Sequence, residues 1–305
     1  MQYEGTERRS ISPGSQGEVR VSQSTKPVRR HAGEAPLLPI HAARPHDRQF
    51  VTALARGLEI LRCFSAETPE LGSRQIARRI GLSQPTVWRL CHTLSQLGYL
   101  VPGQTPGKLR VGAPALALGA ASLDALRFTE IIEPHLRAFA SRYPAAAVLA
   151  QQHQMTMIYL LRCNGDVAFV LNHPAGTSVP LAETMFGCTC LAGMPGPMFE
   201  RIAAEIEATS PREMPALRRR VDEARQQLAA RGYVACLGED HPAVNYVAAP
   251  LVADEGRQAY ALLCGGPAFA LSPALIEEEV GPGLVKLADQ VRVALPGAMR
   301  AQPTA

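Results

Sequence analysis

The chain has 305 residues, 47% of them hydrophobic and 19% charged, which is enough apolar material for two modest cores. Its formal net charge of +4 is unevenly spread: residues 1–50 carry eight Lys or Arg against five acids, residues 51–112 eight against three, and residues 113–305 fifteen against nineteen. No run approaches the roughly 20 apolar residues of a membrane helix, and no apolar core follows the early arginines as in a signal peptide. A membrane partner is therefore not expected, and the chain is read as cytoplasmic.

Residues 1–48 are rich in Ser, Pro, Gly, Arg and His without apolar periodicity, and are expected to form a disordered basic tail, with Lys26, Arg29 and Arg30 as its cluster of positive charge. From Phe50 the pattern changes. Val51, Leu54, Ala55, Leu58 and Leu61 recur at helical spacing, with Arg56 and Glu59 off that stripe and Ile60 and Phe64 widening it. Thr68-Pro69-Glu70 breaks this helix. Ser73 is expected to cap a second helix through Ile76, Ala77 and Ile80, which Gly81 stops. Ser83 is expected to cap a third, with Pro85 tolerated in its first turn. Its apolar line of Val87, Leu90, Cys91, Leu94 and Leu97 calls for burial, and Gly98 ends it. Residues 99–101 and 109–111 then bracket a turn-rich tip, so two short strands form a wing. Residues 49–112 read as a winged helix-turn-helix.

Residues 113–127, with Leu116, Leu118, Leu123 and Leu126, are expected to form a linker helix. Residues 128–297 form the second domain, and 298–305 a closing tail. That domain opens on a helix carrying Ile131, Ile132, Leu136 and Phe139. Strand-type runs follow at Ala147–Ala150, Met157–Leu161 and Val167–Leu171, then helices over roughly 195–208 and 215–231, strands at Tyr246–Val252 and Ala259–Cys264, and a helix from Pro273 to Ala294. This order is α+β.

A reading helix must bury one face and present polar groups on the other. Gln84, Thr86, Arg89, His92 and Thr93 supply the polar set. Gln pairs with adenine edges, Arg with guanine or phosphate, and the Thr methyl with thymine. Ser83 and the helix N-terminus offer donors to a phosphate. Arg74, Arg78 and Arg79 before the helix and Lys108 and Arg110 in the wing flank the groove of a double-stranded DNA operator. Trp88, the only tryptophan, is expected to pack against the wing or the first helix, and otherwise to lie on a sugar or phosphate edge. The seven cysteines, odd in number and without repeated spacing, point to reduced thiols. Cys188 and Cys190, with Cys236, Cys264 and His241 elsewhere, make only a weak metal pattern, so no metal or cofactor is expected.

The chain resembles the IclR family of bacterial transcriptional regulators from about Val51 to Leu295. The resemblance is carried by residues 55–61 (Ala-Arg-Gly-Leu-Glu-Ile-Leu), Ile76-Ala77, Gly81-Leu82-Ser83, Thr86-Val87, Arg89-Leu90 and Leu97-Gly98-Tyr99-Leu100. Later matches are Val179-Pro180-Leu181, Gly187, Leu191-Ala192, Arg231-Gly232-Tyr233, Val247-Ala248-Ala249-Pro250-Leu251 and Gly265-Gly266-Pro267. The first helices are especially similar to members associated with aromatic-acid catabolism. The resemblance implies a linker helix that pairs protomers into a homodimer or a dimer of dimers, and a C-terminal GAF-like α/β domain that binds a small-molecule effector over its sheet. Carried onto matching positions, the pocket involves Leu171, Met185, Phe186, Cys236, Tyr246, Leu263 and Gly265. A carboxylate effector would draw its donors from Thr184, Thr189 and the amides around Gly187 and Cys188. Cys188 and Cys190 stand where many relatives carry a basic or aromatic residue, and Val244-Asn245-Tyr246 replaces a glycine-containing stretch.

Two other readings stay open. An enzyme would need a reactive motif, and the chain has no G-x-S-x-G, phosphate loop or dinucleotide fingerprint; His153, His173 and His241 lack recognisable partners. A ligand-independent DNA-architectural protein would leave the long, non-basic second domain without a task.

Overall fold

A computed structural model describes residues 48–65, 68–126, 128–165, 173–253 and 258–299. The expected leading tail up to residue 47, the strand candidate Val167–Leu171 with the pocket candidate Leu171, and residues 300–305 lie outside the described residues.

Helix α1 spans Thr52–Arg62, α2 Ser73–Ile80 and α3 Gln84–Gln96. They share a small core of Ile60, Cys63, Leu71, Ile76, Ala77, Ile80, Val87, Cys91 and Leu100. Helix α1 turns a different face inward from the one its apolar stripe suggests. Ala55, Glu59 and Ile60 are buried, whereas Val51, Leu54 and Leu58 are 62%, 64% and 48% exposed. Two apolar surfaces run along this helix, and periodicity alone does not say which one its own domain covers. The caps also differ from expectation. Gly72 takes the N-cap of α2, its amide donating to Gln75 Oε1 at 3.0 Å, so Ser73 is the first helical residue. Ser83 stands at the N-cap of α3, but its hydroxyl pairs with the Thr86 hydroxyl at 2.9 Å rather than with a backbone amide. Gly81 makes the turn between α2 and α3 at φ +65°, a conformation that costs a glycine little.

The wing pairs β1, Leu100–Pro102, with β2, Leu109–Val111, in antiparallel register from Leu100↔Val111 to Pro102↔Leu109. Leu71 adds a bridge to Leu109, exchanging both backbone hydrogen bonds. Helix α4, Pro114–Ala125, follows with Leu116 78% and Leu118 56% exposed.

The second domain opens with α5, Phe128–Ala140, and builds an antiparallel sheet. Its strands are β3 (Ala146–His153), β4 (Thr156–Asn164), β5 (Ser178–Pro180), β6 (Val234–Leu237), β7 (Val244–Ala253) and β8 (Gln258–Pro267), in the order β5-β4-β3-β8-β7-β6. Helices α6 (Met185–Ala192), α7 (Gly196–Thr209) and α8 (Met214–Arg231) cover one face. The other is covered by α5 and α10, Gly281–Met299, which is reached through a short α9, Pro273–Leu275, and a π-helical turn over Ile276–Val280. The period-two alternation of the strands sorts the side chains. Ala147, Leu149, Val247, Ala249, Tyr260, Leu262 and Cys264 face α5 and α10, while Val148, Ala150, Tyr246, Ala248, Ala261 and Leu263 face α6 to α8. The fold is thus α+β, with an N-terminal winged helix-turn-helix.

Gly187 in α6 fixes how closely that helix approaches the strand before it, because an added Cβ would fall 2.0 Å from the Leu181 carbonyl oxygen. Gly187→Ala should therefore destabilise the chain by about 3 kcal/mol or more, since backbone rather than a mobile side chain must give way. Thermal melts that coincide with wild type would contradict this packing.

Candidate functional site

Burying Val87 and Cys91 orients α3 so that Gln84, Trp88, Arg89, His92 and Thr93 are exposed and Thr86 is half-buried. The Thr93 hydroxyl donates to the Arg89 carbonyl at 3.1 Å. Trp88 is mostly exposed rather than enclosed by the wing or α1. It is 60% exposed and stacks on His92, with ring centroids 5.6 Å apart and planes 13° from parallel. Two flat rings one turn apart on an exposed helix face stack because that covers part of each from water.

The flanking arginines divide by role. Arg74 and Arg78 on α2 and Arg110 on β2 are exposed, and Lys108 is half-buried. Arg79 is committed inward: its guanidinium donates to the Cys63 carbonyl at 2.7 Å and to Thr68 Oγ1 at 3.2 Å, fastening the end of α1 to α2. The geometry therefore corrects the place given to Arg79 on the groove edge. It caps the Cys63 carbonyl at the C-terminal end of α1, where a cation complements the helix dipole. The wing tip is held by Glu70, whose carboxylate accepts from the amides of Gln104 and Thr105, the latter at 3.1 Å. The Gln104 amide, then the Thr105 amide, hold this carboxyl below the usual carboxylate range.

On the second domain, α6 brings the other candidates together. Thr184 caps the helix, accepting from the Gly187 amide at 3.0 Å and donating to the Pro180 carbonyl at 3.0 Å. Met185, Phe186, Gly187 and Cys188 are all buried against the sheet. Cys236, Tyr246 and Gly265 lie side by side across β6, β7 and β8, and Leu263 follows on the same face. With no side chain at Gly265, the Tyr246 ring occupies that row, and a Cβ there would come within 2.9 Å of Tyr246 Cβ.

Sequence reading missed the polar knot at this end of α6. The Met185 amide donates to both Asp240 oxygens, at 3.2 and 2.9 Å, and the Phe186 amide donates to the Tyr246 hydroxyl at 3.0 Å. That hydroxyl donates in turn to Asp240, and burial first, then the nearby Cys236 thiol and Asp240 carboxylate, raise its pKa and keep it protonated. Arg220 of α8 donates to Asp240 at 3.0 Å and to the Ala182 carbonyl at 3.3 Å. Thr189, expected as a ligand donor, gives its hydroxyl to the Met185 carbonyl at 2.7 Å. The donors expected to meet a carboxylate are thus already engaged inside the chain. The sequence signal was faint, because Arg218-Arg219-Arg220 reads as a solvated run and Asp240 stands in a short turn between strands.

Beside this knot lies a cluster of rings. Tyr159 meets Phe186 edge-on at 6.1 Å and His173 edge-on at 6.2 Å. Burial pushes the Tyr159 hydroxyl up to about 12. All seven cysteines are buried, with Cys188 pushed up to about 11 and Cys190, Cys236 and Cys264 to about 12, each chiefly by burial. Such thiols are protonated and unreactive near neutral pH. Among the described residues no three His, Cys, Asp or Glu gather as metal ligands.

Residues 53–102 match the model of the IclR helix-turn-helix domain. The chain is 30% identical over 247 residues to the HTH-type transcriptional regulator TsaQ1/TsaQ2 of Comamonas testosteroni, covering 79% of this chain and 87% of that protein. The solved IclR family transcriptional regulator from Brucella abortus superposes with a TM-score of 0.74 at 36% identity, over 83% of this chain and 96% of that one. An IclR homolog from Microbacterium hydrocarbonoxydans, solved with 4-hydroxybenzoate, shares the fold with a TM-score of 0.56 at 23% identity, over 82% and 100% of the two chains. An N-terminal winged helix-turn-helix followed by a C-terminal α+β sheet domain is the arrangement of a DNA-binding transcriptional regulator. The chain belongs to the IclR family of such regulators.

Two variants separate reading from fastening. Arg89→Ala should lower operator affinity by about 1–3 kcal/mol with the melting temperature unchanged, whereas Arg79→Ala should lower the melting temperature. Gel-shift titrations run beside thermal melts check both. In the wing, Glu70→Gln should speed hydrogen exchange at the Gln104 and Thr105 amides, which lose a charged acceptor; mass spectrometry of the wing peptide reads this directly.

Proposed function

We propose that the chain is a cytoplasmic, effector-controlled regulator in which residues 49–112 bind the operator, residues 113–127 pair two protomers, and residues 128–297 hold a small aromatic molecule. The observation that carries the first part is the two-sided α3, buried through Val87 and Cys91 and exposed through Gln84, Arg89 and His92. One such helix covers too little DNA for high specificity, and a dimer supplies two. The outward stripes of α1 (Val51, Leu54, Leu58) and α4 (Leu116, Leu118) support pairing, because water-exposed leucines along two helices gain most from a second copy. A dimer of dimers would follow the same logic on longer operators.

The effector part rests on the ring cluster of Tyr159, Phe186 and His173 beside the α6 end, and on the 4-hydroxybenzoate held by the Microbacterium homolog. The described residues include no helix long and apolar enough to cross a membrane. The relatives are transcriptional regulators, and no feature of the site calls for catalysis.

Sequencing the genomic fragments that the protein retains tests operator binding. Recovery of random DNA would reject it. For the dimer, Leu116→Glu with Leu118→Glu should shift the mass in solution to that of a monomer and weaken operator binding together, as light scattering and gel shifts would show. An unchanged dimer would remove α4 from the interface.

A further inference from the structure

We propose that Asp240 is a built-in anion that closes the α6 end of the pocket to carboxylates, so that the effector of this chain is an uncharged aromatic molecule. The inference rests on the effector reading above and narrows its chemistry.

A helix N-terminus attracts an anion through free amides and the positive end of its dipole. At α6 all three first-turn amides are taken: Met185 by Asp240, Phe186 by Tyr246 and Gly187 by Thr184. The cation at this end, Arg220, is shared between Asp240 and the Ala182 carbonyl. The side chains of Arg220 and Asp240 are only 22% and 17% exposed, so water screens them little. A ligand carboxylate arriving here finds no free amide in that turn, and the cation at this end is already paired with Asp240. A carboxylate that sheds its water with no donor left to replace it binds poorly. An uncharged ring loses nothing by comparison. Tyr159, Phe186 and Leu263, which share one buried cluster, offer it aromatic and apolar surface, and a neutral amide or hydroxyl on it needs no counter-charge. Tyr246 reinforces the closure, since its hydroxyl both donates to Asp240 and occupies the Phe186 amide.

The test is calorimetric titration of the full chain with matched pairs, benzoate against benzamide and 4-hydroxybenzoate against 4-hydroxybenzamide. In wild type the amides should bind at least tenfold more tightly than the acids. Asp240→Asn, which keeps an oxygen for the Met185 amide but removes the charge, should bring each pair within about threefold, and Asp240→Glu should preserve the gap. Circular dichroism establishes that each variant is folded. If Asp240→Asn does not fold, Tyr246→Phe, which releases the Phe186 amide, should narrow the gap instead. Acids that bind wild type as tightly as their amides overturn this proposal and leave the effector reading intact. So does a preference for amides that Asp240→Asn leaves unchanged, or, where Tyr246→Phe is the only lever, one that it leaves unchanged. Failure of both series to bind overturns the aromatic-effector reading and this proposal with it.

Discussion

The second domain depends on one constraint, the in-register pairing of β7 with β8 from Val244↔Pro267 to Ala253↔Gln258. Both strands are buried on both faces, so a slip of one residue would exchange the whole α5 and α10 core with the α6 to α8 core. It would also move Tyr246 off the row it shares with Cys236 and Gly265 and take its hydroxyl away from the Phe186 amide. The polar knot at α6 is in this sense a product of register. The small residues Ala248, Ala249 and Ala261 let helices lie close on either side, and Gly187 and Gly193 continue that close approach on the helix side, the latter against Pro250.

The winged helix obeys a simpler rule, which is why it was readable. Helix α3 has one face that must be buried and one that must not, and its glycines at 81 and 98 take positive φ where the sequence expects the helices to stop. The reading failed where a helix has two apolar faces. On α1 the conspicuous stripe of Val51, Leu54 and Leu58 points outward, while Glu59, marked as off the stripe, is 2% exposed. A single-chain pattern does not say whether an apolar face serves its own core or another chain. Arg79 failed for a related reason: a run of basic residues carries no label telling which one turns inward.

The same limits apply to the effector side. The long strands were legible as apolar runs, but β5 and β6, of three and four residues, are too short to show alternation. Helix α6 is buried along nearly its whole length and so has no amphipathic period to read. Resemblance to a family supplied Met185, Phe186, Gly187 and Tyr246 as neighbours. It did not supply Asp240 and Arg220, whose importance comes from a contact between a turn and a helix about twenty residues apart.

The two halves of the chain meet at a point that gives this arrangement a consequence. Gln154, at the tip of the β3–β4 hairpin with φ +52°, accepts from the Arg62 guanidinium at the end of α1, at 3.3 Å. Its neighbour Met155 accepts from the Leu181 amide at 2.9 Å, and Leu181 lies in the segment that enters α6. On the other side, Cys63, next to Arg62, offers the carbonyl that Arg79 holds. One hairpin tip therefore touches both the entry to α6 and the end of the first helix of the DNA-binding unit. A hydrogen bond contributes about 1 kcal/mol at most in such a place. The Arg62–Gln154 bond is exposed and single, so water competes with it on equal terms.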